Sequence, residues 1–257
     1  MPATDLTLLI DAAHAAGQIA RRFTGPEAEA WHKPGGAGPV TEADLAVNKM
    51  LHAELQQARP DYGWLSEESP DDANRLKHDR VFIIDPIDGT RSFIEGSSTW
   101  AHSLAIAENG RVIAAAVYLP MRGKMYTAAA GQGAHLNDTP IRASDRSDLT
   151  GATMLSAKPN YDPKFWRGPV PEVKRHYRPS LAYRLALVAE GRFDAMLTLR
   201  ASWEWDIAAG DLILRESGAT TSDMQNKQLL FNNPRPQVNG VIASGSNLHQ
   251  HIASALR

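Results

Sequence analysis

The sequence predicts an α+β protein in which helices are layered on sheets. Three observations lead there: apolar residues at helical spacing near the start, short turn-separated strands between residues 81 and 129, and alternating strands and helices after residue 151. Leu6, Leu9, Ile10, Ala13, Ala16, Gly17 and Ala20 share one face of a helix running from Asp5 to about Phe23. The segment Lys33-Pro34-Gly35-Gly36-Ala37-Gly38-Pro39 has loop composition and lacks the Gly-Lys-Ser/Thr ending of a nucleotide P-loop, so it reads as a mobile lid. Thr41 then caps a second helix to about Ala58, with Ala46, Val47, Met50, Leu51 and Leu55 as its apolar stripe. Strands at 81–85, about 101–108, 111–119 and 124–129, joined by Glu108-Asn109-Gly110 and Pro120-Met121-Arg122-Gly123, form an antiparallel meander. Further helices are expected at 180–190, 206–217 and 246–256. The Ser-, Asp- and Arg-rich stretch at 142–151 separates an N-terminal α+β half, 1–145, from a C-terminal α/β half, 146–257.

Bulk properties narrow the function. The 257 residues can bury a sizeable core. A formal net charge of -2 argues against a basic nucleic-acid-binding face. No apolar stretch approaches the roughly 20 residues that cross a bilayer. Met1 to Leu9 carries Asp5 and no basic leader, so no secretion signal is expected and a cytoplasmic location is. With Cys 0, the chain has no disulfide, thiolate-held zinc, iron–sulfur cluster or cysteine nucleophile.

The densest chemistry is Asp85-Pro86-Ile87-Asp88-Gly89-Thr90, directly after the apolar run Val81-Phe82-Ile83-Ile84. Two carboxylates converging at a strand's carboxyl end suit a hard divalent cation and a phosphate, although Asp-Pro and Asp-Gly also make ordinary turns. Glu67-Glu68-Ser69 and Trp205-Asp206 before Ala208-Ala209-Gly210 supply further acids; alone, each is equally compatible with a solvated loop or a helix cap. The nine histidines show no metal-ligand spacing, and His249 and His251 fit a solvent-facing helix. Trp203 and Trp205 read as core or rim residues, without the Lys or Arg alternation of a nucleic-acid groove.

Val40-Thr41-Glu42-Ala43-Asp44, Glu67-Glu68-Ser69, Asp85 to Thr90 and Trp205-Asp206-x-Ala208-Ala209-Gly210 occur together, in the order seen in the inositol monophosphatase family, which the chain resembles over nearly its whole length. Its nearest branch by resemblance is the bacterial 3'(2'),5'-bisphosphate nucleotidase, the CysQ type. The resemblance implies a layered αβαβα sandwich of the inositol monophosphatase and fructose-1,6-bisphosphatase type, and a lithium-sensitive, homodimeric, Mg²⁺-dependent phosphatase. It implies that Glu67, Asp85 and the Ile87 carbonyl hold one Mg²⁺ and that Asp85, Asp88 and Asp206 hold a second, with Asp85 bridging. Two cations roughly 4 Å apart can serve an attacking water and a leaving oxygen in line. The Asp85-x-x-Asp88 spacing departs from the Asp-x-Asp of phosphatases with an aspartyl nucleophile.

By the same resemblance Glu67 and Thr90 activate the water, with Thr90 bonded towards Asp44, and Asp44 supports them or touches a third, weaker ion. Asp88, Gly89, Thr90, Ser180, Arg184 and Asp206 face the phosphate ester, with Lys33 closing over it from the lid. Arg91 and the Glu204-Trp205-Asp206 segment favour adenosine 3',5'-bisphosphate as substrate, giving AMP and phosphate. Lys124-Met125-Tyr126 and Gly131-x-Gly133-Ala134 match inositol-1-monophosphatases at least as well, and Pro179 stands where the family commonly has Gly. A sugar or polyol phosphatase therefore remains open, as does a non-catalytic regulatory scaffold of the same fold, against which the complete acid set argues.

Overall fold

Helix α1 (Asp5–Ala20) starts where the Thr4 hydroxyl accepts the Thr7 amide at 3.2 Å, and its small residues Ala12, Ala13 and Ala16 let it lie close on what it covers. In this computed structural model, residues 4–23, 29–33, 35 and 38–257 are described. Strands β1 (Ala30–His32) and β2 (Pro39–Thr41) pair antiparallel and carry Lys33 just past β1. The lid expected at 33–39 includes Pro34, Gly36 and Ala37, which lie outside the described residues. Helix α2 (Glu42–Ala58) opens on a capping box: the Thr41 hydroxyl accepts the Asp44 amide, and the Asp44 carboxylate accepts the Thr41 amide at 2.9 Å.

The larger sheet has the order β3 (Gly63–Ser66), β4 (Arg80–Asp88), β5 (Ala101–Glu108), β6 (Arg111–Leu119), β7 (Lys124–Ala129), β8 (Ala134–Leu136) and β9 (Thr139–Pro140). Its strands from β4 onward form the expected antiparallel meander, while β3 pairs parallel at the edge. The smaller sheet contains β10 (Thr153–Ser156), β11 (Lys174–His176), β12 (Ala195–Trp203), β13 (Ala219–Ser222) and β14 (Gln237–Gly245), ordered β11-β10-β12-β14-β13. Helices α3 (Thr90–Ile94), α4 (Leu181–Ala189), α5 (Glu204–Glu216) and α6 (Ser246–Ala255) complete the chain.

Alternation along each strand assigns the faces. Phe82, Ile84, Leu104 and Ile106 meet Leu9 of α1 and Val47 and Leu51 of α2. On the opposite face Ile83, Ala105 and Val117 meet Leu185 of α4 and Leu212 of α5, which also touch the cluster containing Met196 and Ala243 of the smaller sheet. That sheet's far face packs Leu197 and Ile242 on Leu248 and Ile252 of α6. The result is five layers, αβαβα. Among the described residues no helix is long and apolar enough to cross a membrane.

One element differs from the sequence expectation in a way that matters. Strand β4 does not stop at Asp85 but continues through Pro86 to Asp88. Opposite it on β5, Asp85 pairs with Ser103 and Asp88 with Ala101, so β4 bulges by one residue where the proline offers no ladder donor. The bulge keeps the strand paired while turning both acids out of the regular alternation.

Between the sheets, Gly210 lets α5 approach α4: a Cβ there would lie 2.5 Å from Leu185 Cδ1 and 2.6 Å from Leu185 Cβ. The Ala208-Ala209-Gly210 run thus sets the spacing of the layer that carries Asp206. Gly210→Ala is expected to destabilise the fold by about 1–3 kcal/mol through overpacking, read as a lower urea midpoint at unchanged m-value.

Candidate active site

Three elements bring acids together at one edge of the central layer: the loop after β3, the bulged end of β4 and the first turn of α5. One carboxylate oxygen each from Glu67, Asp85 and Asp206 lies within 4.8 Å of the others. Asp85 is buried, and its Oδ1 accepts the Ile87 amide at 3.0 Å inside the bulge. Asp206 is placed by the close packing of α5, and the preceding Trp205 carbonyl accepts the Ser103 hydroxyl of β5 at 2.9 Å. That bond ties the helix start to the larger sheet.

Asp88 sits beside this trio but faces α4. Its Oδ2 accepts both the Ser180 hydroxyl and the Ala182 amide at 2.6 Å, so one oxygen serves the uncapped amides of α4, where a negative charge is favourable. Ser180 therefore braces Asp88. Gly89 adopts φ 96 as the cap of α3, a left-handed conformation that suits glycine. The Thr90 hydroxyl donates to the Ile87 carbonyl at 3.2 Å, not to Asp44 as the family resemblance implied. Asp44 is engaged locally: its Oδ2 takes the Thr41 amide and hydroxyl, and its buried Oδ1 has no partner among the described residues.

Lys33 reaches the acids directly, 2.8 Å from Glu67 Oε1 and 2.6 Å from Glu68 Oε1. Arg184 is buried; its guanidinium donates to the Arg178 and Pro179 carbonyls and lies 4.5 Å from the Tyr177 ring centroid. The Pro179 departure thus leaves a carbonyl that orients Arg184. Sequence reasoning passed over Asn48, whose Oδ1 accepts from Ser66 at 2.7 Å and whose Nδ2 donates to the Glu68 carbonyl at 3.1 Å. Its position four residues after Asp44 on α2 was the available signal.

Burial and mutual repulsion dominate the electrostatics. Burial first, then the charges of Glu67, Asp88 and Asp206, hold the Asp85 carboxyl well above the usual range; Asp206 is raised by burial and by Asp88 and Glu67. Burial also raises Asp88, against the bonds from Ser180 and Ala182. Asp44 is pushed up to about 6 by burial despite its Thr41 bonds, and Glu68 to about 7 by burial despite Lys33. Burial alone would lower Lys33, but Glu67 and Glu68 outweigh it. A set of hard oxygen donors this crowded fits a divalent cation such as Mg²⁺, whose charge would offset the repulsion.

Five layers with an acid cluster at the end of the bulged strand β4 suit one class of protein, the cation-dependent hydrolases of phosphoric monoesters. The chain belongs to the inositol monophosphatase family, whose model matches residues 2–257. It is 33% identical to the inositol-1-monophosphatase of Rhizobium meliloti (strain 1021) over 98% of this chain and 94% of that protein. It is 30% identical to Nus factor SuhB of Escherichia coli (strain K12), covering 98% of both. Among solved structures, an IMPase of Thermotoga maritima superposes with TM-score 0.83 at 29% identity, covering 97% of this chain and 95% of that one. The suhB protein of Bartonella henselae gives TM-score 0.80 at 28% identity over 96% of each. The family's members depend on Mg²⁺, and the acid cluster here suits that ion.

Cation binding must displace protons from these raised carboxyls. The sign is therefore fixed: Mg²⁺ affinity rises with pH as the raised carboxyls of Asp85, Asp88 and Asp206 lose their protons. Scanning calorimetry is expected to show a larger Mg²⁺-induced increase in Tm at pH 8 than at pH 5.5.

Proposed function

We propose that the chain hydrolyses a polyol monophosphate of the inositol 1-phosphate class, with Glu67, Asp85, the Ile87 carbonyl, Asp88 and Asp206 as the ligands of two Mg²⁺. The convergence of Glu67, Asp85 and Asp206 oxygens beside Gly89-Thr90 is the observation that carries this reading. When bound, Mg²⁺ supplies charge to the phosphate oxygens and a nucleophilic water at neutral pH. The chain's own residues do the rest. Asp85 is held rigid by the Ile87 amide, and Asp88 by α4, so neither carboxylate needs to reorganise as charge develops. We assign Glu67, Thr90 and Asp44 to orienting and deprotonating the water; Asp44 Oδ1 has no hydrogen-bond partner among the described residues. Lys33 neutralises an incoming phosphate from the Glu67 side, while Gly89, Thr90 and Ser180 line its approach.

The polyol reading is supported by relatives named inositol-1-monophosphatase at 33% identity. It moves the preference away from adenosine 3',5'-bisphosphate, which the sequence had favoured and which the relatives named above do not support. One observation keeps that substrate as a second reading: Trp203, 41% exposed, stacks on Trp205 at 4.7 Å and 9°, a preformed platform just before Asp206. Arg200 and Arg184 add positive charge near Asp206 for a second phosphate. A regulatory scaffold is supported by relatives named Nus factor SuhB, but the intact acids favour catalysis. A homodimer in the cytoplasm belongs to the same proposal and rests on the family resemblance; sedimentation tests the dimer.

Phosphate release from inositol 1-phosphate, adenosine 3',5'-bisphosphate and fructose 1,6-bisphosphate, with and without Mg²⁺, tests the assignment. The polyol ester should turn over fastest; a preference for the nucleotide that Trp203→Ala abolishes selects the second reading, and no Mg²⁺-dependent release from any ester sinks the enzyme assignment. Asp85→Asn is expected to keep the far-ultraviolet circular dichroism of the parent and to lose kcat on the order of a thousandfold, the scale of several kcal/mol of charge stabilisation.

A further inference from the structure

His102 is fully buried on β5, between the two residues that pair with Asp85 and Asp88. The bulge takes Pro86 and Ile87 out of the strand register. The His102 ring meets the chain there: its Nδ1 hydrogen-bonds the Pro86 carbonyl. A carbonyl only accepts, so Nδ1 carries the proton and donates. The ring's orientation is set by neighbours, with Trp100 edge-on at 5.4 Å and Tyr118 tilted at 6.3 Å. Its Nε2 is buried without a partner among the described residues, which leaves the Pro86 bond as its polar contact.

The consequence runs through one planar group. The Pro86 carbonyl and the Ile87 amide belong to the same peptide unit, which is rigid about its C–N bond. His102 grips that unit at the oxygen, and the Asp85 carboxylate grips it at the nitrogen, 3.0 Å from Oδ1. The next carbonyl, of Ile87, lies in the following peptide unit, hinged to this one at the Ile87 Cα, and accepts the Thr90 hydroxyl. We infer that His102 is a positioning residue: by holding the Pro86–Ile87 peptide it aims the Asp85 carboxylate and the Ile87 carbonyl at the cation. This inference rests on the proposed cation ligands.

The test is Mn²⁺ binding by the full chain, read from the free-ion electron paramagnetic resonance signal, alongside far-ultraviolet circular dichroism. His102→Val removes the donor and is expected to weaken Mn²⁺ by about 10–100-fold, the usual effect of losing a group that orients metal ligands. His102→Asn places an amide N–H where Nδ1–H stood and should recover most of that affinity. Parent-like Mn²⁺ affinity in a folded Val variant overturns the inference, and so does an Asn variant as weak as Val when both are folded. Nitrogen NMR of the parent gives a reading independent of any variant's folding: a ring protonated on Nδ1 is expected, and one protonated only on Nε2 overturns it. A parent chain that binds no Mn²⁺ overturns both this inference and the ligand assignment, whereas a binding parent with an unaffected Val variant overturns this inference alone.

Discussion

The repulsion among buried carboxylates at the end of β4 is the constraint to which much of the surrounding structure answers. Burial raises the carboxyls of Asp85, Asp88 and Asp206, and neighbouring charge adds to this at Asp85, from Glu67, Asp88 and Asp206, and at Asp206, from Asp88 and Glu67. Removing such charges from water is costly unless hydrogen bonds or counter-charges offset it. The chain supplies local offsets one by one: the Ile87 amide to Asp85, Ser180 and the α4 amides to Asp88, and Lys33 to Glu67. These leave the cluster organised, with Mg²⁺ suited to supply the remaining charge.

The bulge converts this constraint into geometry. A regular strand would place Asp85 and Asp88 on opposite faces, since they are an odd number of residues apart. One extra residue at Pro86–Ile87 breaks that alternation, and pairing resumes at Asp88 with Ala101. Proline is tolerated there because the bulge needs no ladder donor. The Pro86 carbonyl within it is held by His102, so backbone irregularity and side-chain support are parts of one arrangement.

Helix packing decides where the remaining acid goes. Asp206 and Trp205 begin α5, whose approach to α4 depends on Gly210 having no side chain against Leu185. Ser103 ties that helix start to the larger sheet through the Trp205 carbonyl. A small-residue contact and a buried hydrogen bond thus join the apolar cluster in fixing where α5 begins. Further out, Trp203 and Arg200 are exposed on the smaller sheet and Tyr177 on the segment preceding α4.

The meander from β4 to β7 and the helices α1, α2, α4, α5 and α6 were legible in the sequence to within a few residues, and the family resemblance grouped Glu67, Asp85 and Asp206, whose carboxylate oxygens lie together. Those features are local in origin, set by apolar periodicity, turn residues and capping, or by motifs that recur together in the family. The partners came from the packed chain. The parallel pairing of β3, the order of the smaller sheet and Asp88 committed to α4 all join distant segments, while Thr90 turns to the nearby Ile87 carbonyl instead of Asp44. His102 shows the reason most directly: no spacing marks it as functional. Its importance arises because a strand paired beside β4 brings it, sixteen residues on, against the Pro86 carbonyl of the bulge.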